Sequence, residues 1–476
     1  MPVLQSFMNK NIFRRFIAWW GYILIIGFVP VAGNAQTLNL YDAVNKAVTN
    51  YPLLQQRQAE IAAGRAHVTT MKGNRLPSLT LEDQLDMGTN NSLQGSYLTF
   101  GMIPSTPGVN NSTTQNNSAN PNNTALSFLQ WEFYNFGYYK SLQKEAQAQL
   151  AVNEANFGSD KYLLTQNVIA LYLDWLKKFR LLQIQNENVT RAQVILTAIR
   201  ATVMSGLKPG VDSSTASAVY SDARIAYLQA LDEYNYDKIT MSTYTGLNLG
   251  IYMPDSSFIS AAMLQSPTQV QPADSVPTGH PLLNVFEKQY EQQLADNNAI
   301  SKKYLPHLDL DGISWLRNSG ISYAGVYPQS ITDGMPYSKY NYYLGVTLSY
   351  NLFDLKHRHD QLVEGRYQAD AKQSALQMEQ LSLNKMMQQA NSTYATTLEK
   401  LKEIPAQLNS ARQAYNQQMA LYRSGLNTLI DVTNAQYALL QAETSYVLVQ
   451  DELLQLLYIR AGLGGQLDNF LQNFKR

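Results

Sequence analysis

Residues 340–352 read YNYYLGVTLSYNL, and their alternation decides the fold. Tyr340, Tyr342, Leu344, Val346, Leu348, Tyr350 and Leu352 fall on one side of an extended chain, and Asn341, Tyr343, Gly345, Thr347, Ser349 and Asn351 on the other. A membrane-crossing β-strand needs roughly 9 to 11 residues, apolar toward lipid and polar toward a lumen, and this stretch meets both conditions. The pattern recurs at 78–88, where Leu79, Leu81, Leu85 and Met87 oppose Ser78, Thr80, Glu82, Gln84 and Asp86, and only Asp83 breaks it. Further strands at 125–134 and about 305–315 complete two hairpins. The polar stretch 89–124, crowded with Asn, Ser, Thr, Pro and Gly, reads as a long external loop in the first. Aromatic residues gather at the strand ends: Trp131, Phe133, Tyr134, Phe136, Tyr138 and Tyr139 in one half, Tyr337, Tyr340, Tyr342 and Tyr343 in the other. Girdles at a bilayer interface would account for them, and so would an ordinary amphipathic sheet packed on a soluble core.

Four strands cannot close a barrel. The smallest transmembrane barrels have about eight, and an open edge in lipid leaves backbone groups unpaired at a cost of several kcal/mol each. If these strands span a membrane, several copies share one barrel, so oligomerisation follows from the strand count.

Composition narrows the alternatives. Charged residues make up 15% of the 476, tyrosine reaches 31, and the formal charge is zero, so no basic excess supports binding to nucleic acid. Cysteine is absent, which removes disulfides, thiolate nucleophiles and a lipidated N-terminal cysteine. Residues 1–35 read as a signal peptide: Lys10, Arg14 and Arg15 precede an apolar run over 16–31, with Gly33-Asn34-Ala35 at the cleavage point. Beyond residue 36 no apolar stretch approaches the ~20 residues of a spanning helix.

The remainder is helical. Two stretches, 138–205 and 356–424, would each form a helix of roughly 100 Å, the second interrupted by Pro405, where a kink is expected. Each ends in a related turn: MSGLKPGVDSSTAS (204–217) and RSGLNTLIDVTNAQ (423–436) place Ser205, Gly206, Leu207 and Asp212 under Ser424, Gly425, Leu426 and Asp431. Lys208-Pro209-Gly210-Val211 suits a type II turn, and Asp212 and Asp431 stand where helix N-caps belong. Return helices follow with a seven-residue rhythm: Val432, Ala435, Leu439, Ala442, Tyr446, Val449, Leu453 and Leu456 in one, Ala216, Tyr220, Ala223, Tyr227, Ala230 and Tyr234 in the other.

The duplication extends upstream. Tyr51-Pro52-Leu53-Leu54 is echoed by His280-Pro281-Leu282-Leu283, and Leu76-Pro77-Ser78-Leu79 by Leu305-Pro306-His307-Leu308. The reading is an α+β membrane protein built from two repeats. The first covers 36–250, with strands about 77–88 and 125–134 and a helical hairpin about 138–246 whose tip is 205–212. A linker follows over 251–278. The second covers 279–476, with strands about 305–315 and 340–353 and a hairpin about 356–461 whose tip is 424–431.

No GxxxxGK[ST], HExxH or GxSxG segment appears, so neither an enzyme nor a nucleotide-driven pump is indicated, and no cofactor is implied. His357-Arg358-His359-Asp360 is a weak metal candidate, better explained as a polar helix entrance below the barrel. The rival class is a secreted or envelope-associated coiled-coil scaffold or adhesin, which has no need of four amphipathic strands with aromatic ends.

The opening LNLYDAVNKAVTNYPLL (38–54), the Leu-Pro before each first strand, YNFG (134–137) and LFDL (352–355) after each second strand, and the twin Ser-Gly-Leu turns with a downstream Asp resemble the TolC family of outer-membrane efflux proteins. The resemblance covers residues 37–465. It implies a homotrimer in outer-membrane lipid, with one twelve-stranded barrel continued by a periplasmic tunnel of helices. It also implies a periplasmic adaptor (membrane fusion) protein and an inner-membrane pump of the RND, ABC or MFS type, the channel itself being passive. Asp431 matches an aspartate of the family's periplasmic constriction. The position of a second such aspartate holds Asn434, and that of a latching arginine holds Asn427. Gly206, Asp212, Gly425, Asn427, Asp431 and Asn434 are therefore the tip and gate candidates, and three copies of Asp431 would form a carboxylate ring that attracts cations.

Overall fold

The computed structural model describes residues 36–88, 117–206, 208–257, 276–320, 330–472 and 474–475. The expected signal over 1–35, most of the first external loop, Leu207 and most of the linker lie outside the described residues.

In chain order the elements are β1 (Gln36–Leu38), α1 (Leu40–Asn50), α2 (Pro52–Gly73), β2 (Ser78–Gly88), β3 (Asn120–Tyr134), α3 (Tyr138–Met204), α4 (Gly210–Thr245) and β4 (Tyr252–Pro254). They continue with α5 (Pro281–Lys303), β5 (His307–Ser319), β6 (Lys339–Ser349), α6 (Asp354–Arg423), α7 (Leu429–Leu463) and α8 (Leu467–Gln472). The long strands form one antiparallel sheet in the order β2–β3–β5–β6, so the two repeats are joined edge to edge through β3 and β5.

The register fixes the two faces. Leu79, Leu129, Gly312 and Leu344 lie in one row across the sheet, and the neighbouring row on the opposite face is Ser78, Gln130, Asp311 and Gly345. Leu79 and Leu81 of β2 and Tyr342, Leu344, Val346 and Leu348 of β6 are all more than 60% exposed, apolar surface of the kind lipid covers. Asp83 shares this face with Leu81 and Leu85, and its carboxylate accepts the Tyr337 hydroxyl at 2.8 Å. The opposite face is polar at its helix-proximal end but carries the row Phe128, Ile313, Tyr343 and the buried Trp315 farther along. β3 begins at Asn120 instead of 125, and β5 reaches Ser319. Backbone pairing of 120–124 with 84–88 carries the hairpin past the point where side-chain alternation stops. Trp131 donates its indole N–H to the Arg75 carbonyl at 2.9 Å, and Phe136 and Gly137, at φ 50° and 84°, turn the chain from β3 into α3.

α3 and α6 run 67 and 70 residues, about 100 Å each, and α6 passes through Pro405 without interruption. α3 pairs with α4 and α6 with α7 as antiparallel hairpins, and α3 also lies against α7. In α7 the seven-residue seam is buried at every position named above except Tyr446, which is half-buried. Of the seam positions named in α4 only Ala216, Ala223 and Tyr234 are buried. The main core sits midway along the helices, where Ile169, Tyr172, Leu173, Trp175 and Leu176 of α3 meet Leu40, Ala43, Val44 and Ala47 of α1 and Leu467 and Phe470 of α8. Tyr172 donates to the Leu38 carbonyl at 2.6 Å and accepts from the Asp255 amide at 2.9 Å, tying the parallel β1–β4 ribbon to that core. Among the described residues, no helix is long and apolar enough to cross a membrane.

Candidate gate at the hairpin tips

Strands occupy one end of the long helices, so the twin turns occupy the other. Both turns close the same way. The Gly206 amide donates to Val203 and the Gly425 amide to Tyr422, each at 3.0 Å, and the two glycines sit at φ 74° and 78°. A Cβ at either glycine would meet nothing within 4 Å, so the left-handed backbone alone calls for glycine.

The chain then diverges. The expected type II turn at 208–211 does not form: Pro209 is the extended N-cap of α4 and Gly210 is already helical. Gly206 has supplied the positive φ, leaving Pro209 only to set the helix entry. Neither aspartate is an N-cap. Asp212 is the third residue of α4, without a side-chain capping bond, whereas Asp431 closes a capping box with Thr428. Its carboxylate accepts the Thr428 amide at 3.0 Å and hydroxyl at 2.6 Å, and its own amide donates to the Thr428 hydroxyl at 3.4 Å. These bonds from Thr428 hold the Asp431 carboxyl below the usual carboxylate range. Asn427 donates its side-chain amide to Gln418, nine residues back on α6, and Asn434 is exposed on α7.

What binds one hairpin to the other is a set of residues the candidate list omits. At the tip, Ile195, Leu196 and Ile199 of α3 pack on Ala216 of α4 and on Leu429 and Val432 of α7. Above them runs a polar ladder between α3 and α7. The Gln436 amide donates to Asn188 at 2.8 Å, Arg191 grips Glu443 with two bonds of 3.2 and 2.8 Å, Arg180 donates to Gln450 at 2.6 Å, and Lys177 pairs with Asp451 at 3.5 Å. Gln436, Glu443 and Gln450 are all more than nine-tenths buried and recur every seven residues, each directly after an apolar seam position. That spacing is the sequence signal that reveals them.

His357 and His359 are exposed on α6, and the Arg358 side chain reaches the Ser301 carbonyl at 2.8 Å. Among the described residues no cluster of three His, Cys, Asp or Glu is arranged to hold a metal.

A four-stranded sheet with one lipid-suited face, continuous with helical hairpins of about 100 Å that end in paired turns, defines a subunit of an outer-membrane channel. The chain belongs to the outer membrane efflux protein family, whose model matches residues 43–247 and 277–458. No curated protein sequence matches it. Among solved structures it is similar to the outer membrane protein VceC of Vibrio cholerae: 14% identity, 90% of this chain and 96% of that one, TM-score 0.70. The CmeC outer membrane channel of Campylobacter jejuni aligns over 100% of this chain and 97% of that one, at 12% identity and TM-score 0.70. The MtrE channel of Neisseria gonorrhoeae, in its open state, aligns over 90% and 89%, at 14% identity and TM-score 0.62. At these identities the likeness is one of fold.

Proposed function

We propose that three copies of the chain complete one twelve-stranded barrel in the outer membrane and one helical tunnel in the periplasm. The assembly is a passive conduit of a tripartite efflux or type I secretion system, fed by an inner-membrane pump and joined to it by a periplasmic adaptor. Residues 1–35 direct export, 36–250 and 279–476 are the two repeats, and 251–278 link them. Gly206, Asp212, Gly425, Asn427, Asp431 and Asn434 belong to the gate, with the α3–α7 ladder bracing it.

The observation that carries this reading is the open sheet. β2 and β6 are each paired on one side only within the described residues, yet the face between them is suited to lipid. Such edges are satisfied in a membrane only by other strands, and further copies of the same sheet supply them. Extraction of the outer membrane in mild detergent should yield a particle three chains in mass that resists SDS until heated. A monomer released by salt alone would end the proposal.

A further inference from the structure

Residues 1–35, read above as the export signal, end in Gly33-Asn34-Ala35, so cleavage at that point makes Gln36 the first residue of the exported chain. Gln36 opens β1, which pairs in parallel with β4: Gln36 lies opposite Tyr252, Thr37 opposite Met253 and Leu38 opposite Pro254. Leu38 is buried, and its carbonyl accepts both the Tyr172 hydroxyl at 2.6 Å and the Asp255 amide at 3.2 Å. Gln36 and Thr37, by contrast, are exposed. The exported chain is therefore pinned to the core at Leu38, and the two residues ahead of that anchor lie on the surface.

We propose that Gln36 is a modification site, at which the new α-amine closes on the residue's own side chain to give an N-terminal pyroglutamyl lactam. The inference rests on the reading above that residues 1–35 direct export. The amine nitrogen attacks Cδ of the carboxamide, the Cδ–Nε2 bond breaks, and Nε2 departs as ammonia with the proton that the amine gives up. No oxidant, cofactor or second substrate enters. An α-amine has an ordinary pKa of about 7.7 to 8.0, so an unprotonated, reactive fraction exists at neutral pH. Both reacting groups belong to one residue, which removes the entropy cost of bringing two molecules together. Because Gln36 is exposed, it is open to a periplasmic cyclase, and ring closure takes no side chain out of the core. The consequence is protection, since exposed chain ends are where proteolysis starts. An aminopeptidase that removed Gln36 and Thr37 would reach Leu38, whose carbonyl ties the β1–β4 ribbon to Tyr172. A lactam offers such an enzyme no free amine.

The N-terminal peptide of the full-length protein, purified from outer membranes, should begin at residue 36 and weigh one ammonia less than its sequence. It should also resist Edman degradation until treated with pyroglutamyl peptidase. An isotope-labelled synthetic peptide of residues 36–46 with an open glutamine, added at lysis, should stay open through the same work-up, which separates reaction in the cell from closure in the tube. Gln36→Ala removes the carboxamide and keeps both a small residue at the export site and the buried Leu38. A broad aminopeptidase should trim residues 36 and 37 from that variant and leave the wild-type chain whole. A free amine on Gln36, closure in the protein no greater than in the added peptide, or equal trimming of the two chains would overturn this proposal alone. A chain that begins at any other residue would instead overturn the export reading beneath it.

Discussion

Single residues at the tips divide into those set by backbone geometry and those set by partners. Gly206 and Gly425 are legible because a repeated Ser-Gly-Leu after a long helix needs a left-handed residue, which the two positive φ angles supply. The aspartates are less legible: position near a helix start is visible in sequence, but whether an acid caps from outside or closes a box from the third position depends on Thr428 and Pro209. The spacing of Gln436, Glu443 and Gln450 shows the α7 side of the ladder, but the pairing is hidden because partners such as Arg191 and Glu443 are 252 residues apart. Its energetic consequence is sharp. Arg191 and Glu443 are 17% and 9% exposed, and removing one partner leaves the other charge poorly solvated. Arg191→Ala should destabilise the folded protein by about 3 kcal/mol and raise the conductance of the resting channel. The Arg191→Met, Glu443→Leu pair, which removes both charges, should recover stability but not tight closure. Urea unfolding and bilayer recording check the two halves separately, and wild-type behaviour in Arg191→Ala would remove the ladder from the gate.

At the scale of elements, the strands and helical hairpins were legible because period-2 alternation and proline-free heptads are strong local signals. Strand ends were not: 120–124 is held in β3 by its partner strand, with no apolar alternation of its own. Helix starts show how one repeat departs from the other. α2 begins after Tyr51 without a side-chain cap, whereas at the equivalent position before α5 His280 is 1% exposed and its Nδ1 accepts the Leu282 amide at 3.3 Å. Its Nε2 lies 3.1 Å from the Tyr162 hydroxyl, so the neutral ring carries its proton there. Burial lowers the His280 pKa from its ordinary 6.5, opposed by the backbone of Gly462. The unfolded chain therefore binds a proton more readily than the folded one. The stability this site contributes is complete above about pH 6.5 and is lost as pH falls through the lower folded value, when Nδ1 protonates and the cap fails. Amide exchange at the start of α5, taken relative to the intrinsic rate at each pH, should accelerate as the pH falls from about 7.5 to about 5. His280→Asn keeps a cap acceptor without a titrating group and should flatten the dependence. The same acceleration in that variant would assign the effect elsewhere.

For the whole molecule, duplication and incompleteness were both legible, but the join was not. Nothing in the linear sequence specifies that β3 pairs with β5 and leaves β2 and β6 as edges. The orientation of the sheet is the claim on which barrel, trimer and tunnel all depend, and two adjacent residues of β6 test it. Val346 lies on the apolar face and is 63% exposed in the single chain, while Thr347 lies on the other face and donates its hydroxyl to Asp311 at 3.1 Å. A lysine at 346 would enter hydrocarbon at a cost of about 2 to 4 kcal/mol near the bilayer midplane. A lysine at 347 would point into the lumen, beside Asp311 and close to Asp309, where carboxylates favour it. Val346→Lys should therefore deplete the SDS-resistant trimer from the outer membrane, and Thr347→Lys should leave it near wild-type abundance while altering ion selectivity. Reversal of that ranking would place the polar face against lipid. Since the same backbone carries both substitutions one residue apart, general strain on the strand cannot produce the difference, and the facing of the sheet is left as its cause.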